Sequence, residues 1–240
     1  MSGRRWGARL WWELRRAIGW VWLLPLALVI AALAIMAASG TPPAQRPATL
    51  REALEIGLPL CAPFLAVPLL ESEWARGTVA LLAVRASLTW TLLARLAWVG
   101  VYLVALVVGG CVATLGMAGG HAPFGADAQW LGATLLIALA PAALLGALAL
   151  LATSLAVEAA AGYIIGAAFW LLNLIGGLAL PGDSVWRAFL LFGWSFAPAG
   201  SAAPAWWVGK LALLGIAALL LALQPLLLRS EARFIAQSSD

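Results

Sequence analysis

Long apolar stretches alternate with short polar stretches along all 240 residues of the chain. A helix needs about 20 mainly apolar residues to cross the hydrocarbon core of a bilayer. Six stretches approach that length, at roughly residues 17–38, 52–70, 91–118, 130–153, 160–180 and 205–228. The pattern therefore predicts an all-α, polytopic membrane protein whose six transmembrane helices form a single domain over residues 1–240.

Two further segments flank these spans. Aromatic and basic residues alternate from Arg4 to Arg16, which predicts an interfacial helix, although a positively charged flank of the first span would give the same pattern. Between the fifth and sixth spans, a turn at residues 181–184 precedes an apolar stretch at 185–196 that is too short to cross the bilayer. We expect a re-entrant or interfacial element there, with an ordinary external loop as the alternative.

Composition agrees with a membrane protein, since 64% of the residues are hydrophobic and only 10% are charged. The basic residues, thirteen Arg and one Lys, lie at the ends of apolar runs, so they indicate topology rather than nucleic-acid binding. Ten lie on the predicted inner side and four on the outer. The inner set is Arg4, Arg5, Arg9, Arg15, Arg16, Arg76, Arg85, Arg95, Arg229 and Arg233, and the outer set is Arg46, Arg51, Arg187 and Lys210. We therefore expect a multi-pass protein of the inner (cytoplasmic) membrane with both termini cytoplasmic.

The sequence indicates no catalytic or metal site. His121 is the only histidine, and it lies in a predicted outer loop. The acidic residues Asp127, Glu158 and Asp183 are isolated, so they form neither a metal cluster nor an acid/base pair.

Several features of the spans allow two interpretations. The second span contains Pro59, Pro63 and Pro68, which predicts a kinked or locally unwound helix, either as a functional hinge or as a tolerated irregularity. Asn173 in the fifth span and Gln224 in the sixth are candidates for a substrate path, or they bond to neighbouring helices.

A compact charged segment, residues 70–82, separates the second and third spans. Gly77 permits a change of direction, and Thr78 can cap a short helix that presents leucines to the inner membrane surface. Such a helix is suited to a groove on a partner protein, whereas a solvated loop whose leucines dip into lipid is the alternative. The residues expected to bind the partner are Glu71, Glu73, Arg76, Gly77, Thr78, Leu81 and Leu82.

The order Glu71-x-Glu73-x-x-Arg76-Gly77-Thr78-Val79-x-x-Leu82 resembles the cytoplasmic signature of ABC-2 type ABC transporter permeases. In that family an acidic residue, Gly-Thr and a leucine-rich stretch form the coupling helix. The amino-terminal Glu13-Leu14-Arg15-Arg16 is similar to the Glu-Leu-Arg segment of the family's interfacial helix. The six-span layout matches as well, but Ala86-Ser87 stands where members often have Ser-Pro.

The resemblance implies the membrane half of an exporter that works by alternating access. It also implies an ABC-type ATP-binding subunit, which carries ATP and magnesium, and a second permease copy. The chain has no G-x-x-x-x-G-K-[ST] phosphate loop, because Gly209-Lys210 is followed by Leu211, so we expect no ATPase activity and no cofactor in this chain. The alternatives are a haem-exporter B type subunit of cytochrome c maturation and a membrane scaffold that transports nothing.

Overall fold

The computed structural model describes residues 19–74, 88–117, 124–179, 190–193, 195 and 206–228. About 90% of this part of the chain is helical, and none of it forms a β-strand. A 3₁₀ turn at Gly19–Trp22 precedes seven helices. They are α1 (Leu23–Ala38), α2 (Arg46–Ala66), α3 (Pro68–Trp74), α4 (Leu88–Met117), α5 (Phe124–Ala156), α6 (Ala159–Ala179) and α7 (Trp206–Leu228).

Six helical stretches are long and apolar enough to cross a membrane. They run over Gly19–Ala38, Arg46–Glu71, Thr91–Met117, Gln129–Ala156, Ala159–Gly177 and Trp206–Pro225. The predicted all-α fold with six spans is confirmed, and by length and composition the chain is a multi-pass membrane protein. The predicted interfacial helix at residues 4–16 lies outside the described residues. Of the segment before the last span, residues 190–193 and 195 are described, as a bend and turns.

The second span begins earlier than the apolar pattern predicts, at Arg46 rather than near residue 52. Its two early arginines lie within the helix because they have partners inside the protein. Arg46 donates to the carbonyl of Met117 at 2.5 Å, and Arg51 donates to the carbonyl of Trp130 at 3.0 Å and to Thr134 Oγ1 at 2.9 Å. These contacts bring the start of α2 to the end of α4 and to the first turns of α5.

We call this end of the bundle the loop-rich end, because α1, α4 and α6 finish there and α2, α5 and α7 begin there. The opposite end holds α3, the last turns of α5 and α7, and the α5–α6 junction at Val157. Consecutive spans therefore run antiparallel, and the connection between α5 and α6 consists only of residues 157–158.

Helix α5 lies at the centre of the bundle and packs along α2, α6 and α7. It is also, with α2, one of the two most buried spans, whereas the apolar side chains of α1 and α6 are largely exposed. Small residues of α5, such as Ala138, Ala142 and Ala149, are fully or almost fully buried and let neighbouring helices approach closely.

The proline-rich second span stays helical through Pro59 and Pro63 and is interrupted only where α2 meets α3. Pro68, like Pro59 and Pro63, lacks a backbone N–H and so removes one hydrogen bond from the helix. The N–H groups of Leu70 and Glu71 donate to the carbonyl of Val67 at 3.0 and 3.1 Å, so hydrogen bonds continue across the junction. Val67 keeps helical backbone angles, and its N–H donates to the carbonyl of Pro63 at 2.9 Å. The predicted irregularity is therefore confined to a turn at Val67 between two helices, close to the charged segment.

Two glycines of α6 explain how closely that helix packs. A Cβ on Gly162 would lie 2.0 Å from Thr153 Oγ1, and a Cβ on Gly166 would lie 2.5 Å from Pro63 Cγ. The Gly-x-x-x-Gly pair therefore faces α5 and α2 of the same chain, where only glycine leaves room.

Candidate functional site

The charged segment begins within the described structure and continues beyond it. Leu70, Glu71 and the backbone of Glu73 belong to α3, which ends at Trp74. The Glu71 side chain is exposed and interacts with the hydroxyl of Tyr163 on α6. The other expected partner-binding residues lie outside the described residues, and their role stays a prediction. They are Arg76, Gly77, Thr78, Leu81 and Leu82.

Helix α3 is held against the bundle by a buried arginine. Arg95 of α4 is 4% exposed, and its Nη1 donates to the carbonyl of Leu69 at 3.1 Å. Leu69 and Leu70 are also buried in the main apolar core. The first turn of α3 is thus fixed to α4, and Glu71 is the first residue of the charged segment that faces outward.

The two candidates for a substrate path both make contacts within the protein. Asn173 donates from Nδ2 to the carbonyl of Phe169 at 2.9 Å and accepts the backbone N–H of Leu191 at 3.3 Å. Gln224 is 2% exposed and accepts from the hydroxyl of Ser154 on α5 at 2.8 Å. The Gln224 side-chain amide nitrogen, Nε2, has no hydrogen-bond partner among the described residues.

The most concentrated polar chemistry lies at the loop-rich end, where Glu55 of α2 meets Lys210 of α7. Lys210 Nζ lies 2.5 Å from Glu55 Oε1, and the two side chains are 1% and 0% exposed. Lys210 also donates to the carbonyl of Leu191 at 2.5 Å. Glu55 Oε2 accepts from the backbone N–H of Ser195 at 2.6 Å and from its hydroxyl at 2.5 Å. We call Glu55, Leu191, Ser195 and Lys210 the buried charge cluster.

Apolar and aromatic side chains enclose this cluster. Leu191 and Phe192 are fully buried in an apolar group that includes Leu213 of α7. Trp170 of α6 packs edge-on against the Phe192 ring, with centroids 5.9 Å apart, and its Nε1 donates to the carbonyl of Ile56 at 2.8 Å. The cluster is therefore buried among apolar side chains where α2, α6, α7 and residues 190–193 and 195 meet; we call these described residues the turn at residues 190–195.

An isolated charge in such an environment would cost many kcal/mol, so Glu55 and Lys210 depend on each other and on the bonds from the turn. Among the described residues, the carboxylate of Glu55 and the ammonium group of Lys210 balance each other. The cluster joins helices that are distant in sequence and fastens the turn at residues 190–195 to them.

Sequence reasoning missed this cluster. Lys210 was expected to mark the outer membrane boundary, but it is buried and paired with Glu55, because the turn at residues 190–195 covers it. Two signals were available: Glu55 is an acidic residue inside an apolar span, and Lys210 is the single lysine beside thirteen arginines. Neither signal identifies the partner, which is 155 positions away along the chain.

Among the described residues, no three His, Cys, Asp or Glu side chains come together as metal ligands would. Cys61 and Cys111 are free thiols. Comparison with known proteins finds no matching family model, no matching curated protein and no matching solved structure.

Proposed function

We propose that the chain is the membrane-spanning permease subunit of an ATP-binding-cassette exporter, which uses ATP hydrolysis by a separate subunit to export a substrate by alternating access. The observation that carries the proposal is the charged segment, whose residues from Glu71 to Leu82 follow the order of the ABC-2 coupling helix. The six-span, all-helical architecture is compatible with that family's layout.

The position of α3 supports the proposal. A coupling helix must transmit force from a partner outside the membrane to the spans. Arg95 and the buried leucines fix the start of α3 to the bundle, while Glu71, the next residue along the chain, is exposed. Any load on the charged segment would therefore reach α2 and α4 directly.

In this proposal the chain resides in the inner (cytoplasmic) membrane with both termini and the charged segment in the cytoplasm. Glu71, Glu73 and Arg76 orient the coupling helix by charge pairs, and Leu81 and Leu82 fill a groove of the ATP-binding subunit. The working assembly holds a second permease copy and two ATP-binding subunits. Asn173 and Gln224 are the candidate residues of the substrate path.

The experiment is affinity purification of the tagged full chain from its native membrane, followed by identification of the bound proteins. We expect an ATP-binding-cassette subunit in near-stoichiometric amount. The Leu81→Arg variant is expected to lose that subunit and to uncouple ATP hydrolysis from transport, because a charge would enter the apolar groove. Ala48→Arg is the matched control, since Ala48 is an exposed residue at the loop-rich end.

Three results would contradict the proposal. Retention of the ATP-binding subunit and an unchanged transport rate by the Leu81→Arg variant would remove the coupling role of the charged segment. Capture of cytochrome c maturation proteins would favour the haem-exporter B alternative. Capture of a stable partner without nucleotide-binding motifs would favour the scaffold.

A further inference from the structure

The turn at residues 190–195 is tied to three helices by polar bonds. The Leu191 N–H donates to Asn173 of α6, the Leu191 carbonyl accepts from Lys210 of α7, and Ser195 donates twice to Glu55 of α2. Leu191 and Phe192 add buried apolar contacts. Both α2 and α7 pack along α5, and the buried charge cluster is the bridge that joins them at the loop-rich end.

The cluster lies close to that end of the bundle. Lys210 is four residues from the start of α7, which corresponds to about 6 Å along the helix axis. Glu55 is nine residues from the start of α2, or about 14 Å.

From this geometry we infer that the buried charge cluster is a clasp, and that its separation opens the loop-rich end of the bundle to water. The reason is energetic. An apolar junction loses its stabilisation when water enters, whereas a buried ion pair recovers the hydration that it gave up on closing. The hydration recovered by the ion pair offsets part of the apolar stabilisation lost on opening, which lowers the free energy of the open state relative to that of a purely apolar junction.

The inference goes beyond the proposed function and does not depend on it, because a clasp of this kind needs no ATP-binding subunit. In an exporter it would supply the gate on the side opposite the charged segment.

The native cysteines provide the readout. Cys111 of α4 is 1% exposed and lies six residues before the helix end, about 9 Å from the loop-rich end along the axis. Cys61 of α2 is deeper in the bundle and half-buried. The rate at which N-ethylmaleimide labels Cys111, relative to Cys61, therefore measures the entry of water at the loop-rich end. The experiment uses the full chain in lipid nanodiscs and follows labelling by mass spectrometry.

The variants Glu55→Gln and Lys210→Met each leave one charge without its ionic partner. Opening of the clasp hydrates that charge, so we expect Cys111 labelling to rise by roughly tenfold or more relative to Cys61 labelling. The double variant Glu55→Gln/Lys210→Met removes both charges of the Glu55–Lys210 pair, so neither is left to hydrate. Its clasp is expected to stay closed, with Cys111 labelled more slowly than in the wild type.

Two further variants complete the test. Ser154→Ala removes a buried inter-helix hydrogen bond at the opposite end of the bundle and is the matched control, for which the Cys111 rate stays at the wild-type value. Ser195→Ala removes one bond from the turn and keeps the ion pair, so it is informative even if a charge variant fails to fold. We expect it to raise Cys111 labelling about tenfold, which corresponds to the loss of one hydrogen bond to a charged group.

Any of three outcomes would contradict the proposal that the buried charge cluster opens the loop-rich end to water. One is Cys111 labelling that is unchanged in every cluster variant. Another is a parallel rise at Cys111 and Cys61 with a large drop in melting temperature, because that pattern reports loss of the fold. The third is a double variant that is labelled as fast as the single variants.

Discussion

The close approach of α6 to α5 at Gly162 gives a quantitative test of the fold. A Cβ at this position would lie 2.0 Å from Thr153 Oγ1, 2.7 Å from the carbonyl oxygen of Ala149 and 2.7 Å from Val67 Cγ2. The Thr153 hydroxyl can rotate away, but the Ala149 carbonyl belongs to the backbone of α5. Ordinary contact begins near 3.4 Å, so Gly162→Ala must separate the helices by about 0.7 Å.

The expected magnitude follows from two opposing effects. Overpacking of a close-packed interior costs about 1–3 kcal/mol. Replacement of glycine by alanine in a helix returns roughly 0.5–1 kcal/mol of backbone entropy. Gly215→Ala on α7 is the matched control, because nothing lies within 4 Å of its new methyl group. We therefore expect Gly162→Ala to lower the free energy of unfolding and Gly215→Ala to raise it slightly, with a difference of about 2 kcal/mol between them.

The assay is reversible unfolding in mixed micelles, in which sodium dodecyl sulfate is titrated and tryptophan fluorescence is followed. Addition of Thr153→Ala to Gly162→Ala removes the closest clash but leaves the Ala149 carbonyl, so it is expected to recover only part of the loss. Equal stability of Gly162→Ala and Gly215→Ala would refute the close contact and, with it, the placement of α6.

Three further predictions use the same unfolding assay. Val157 has a φ of 55° at the α5–α6 junction, which a β-branched residue adopts only at a cost. Val157→Asn is therefore expected to raise the free energy of unfolding by about 1 kcal/mol. A decrease of the same size would show that the packing of the Val157 side chain outweighs the backbone strain. Gln224→Leu loses the hydrogen bond from Ser154 but also removes a buried donor without a partner among the described residues. We therefore expect the free energy of unfolding to change by no more than about 1 kcal/mol. If the proposed transport activity falls while stability is unchanged, the result would support a role of Gln224 in the substrate path. Trp170→Phe keeps most of the ring contact and loses the hydrogen bond to the Ile56 carbonyl, so the free energy of unfolding is expected to fall by about 1 kcal/mol. Wild-type stability of this variant would show that the hydrogen bond contributes nothing.

The number and type of the spans could be predicted from hydropathy because a bilayer imposes a length and an apolar character on each helix. Hydropathy does not predict where α2 begins. Arg46 and Arg51 count as charges in any local window, yet their donors bond to the carbonyls of Met117 and Trp130, so the helix begins before the apolar run. A tertiary partner is invisible to a local pattern.

The same limit explains why the sequence indicated one candidate site and not the other. Residues of the charged segment are contiguous, so their order could be compared with a family signature. Glu55, Ser195 and Lys210 belong to three separate regions of the chain, and each alone is an ordinary residue near a span end. Only the fold places the carboxylate beside the ammonium group, and the turn at residues 190–195 then excludes solvent from both.

Helix α2 connects the two sites that the proposals concern. It carries Glu55 near the loop-rich end and meets α3 at Val67, twelve residues or about 18 Å further along. The N–H groups of Leu70 and Glu71 donate to the carbonyl of Val67 at 3.0 and 3.1 Å and so join α3 to the end of α2, while Arg95 keeps α3 attached to α4. Under both proposals, a load on the charged segment would therefore reach the clasp as a small rigid displacement of α2. An ion pair that depends on contact at 2.5 Å is sensitive to such a displacement, whereas broad apolar packing would absorb it.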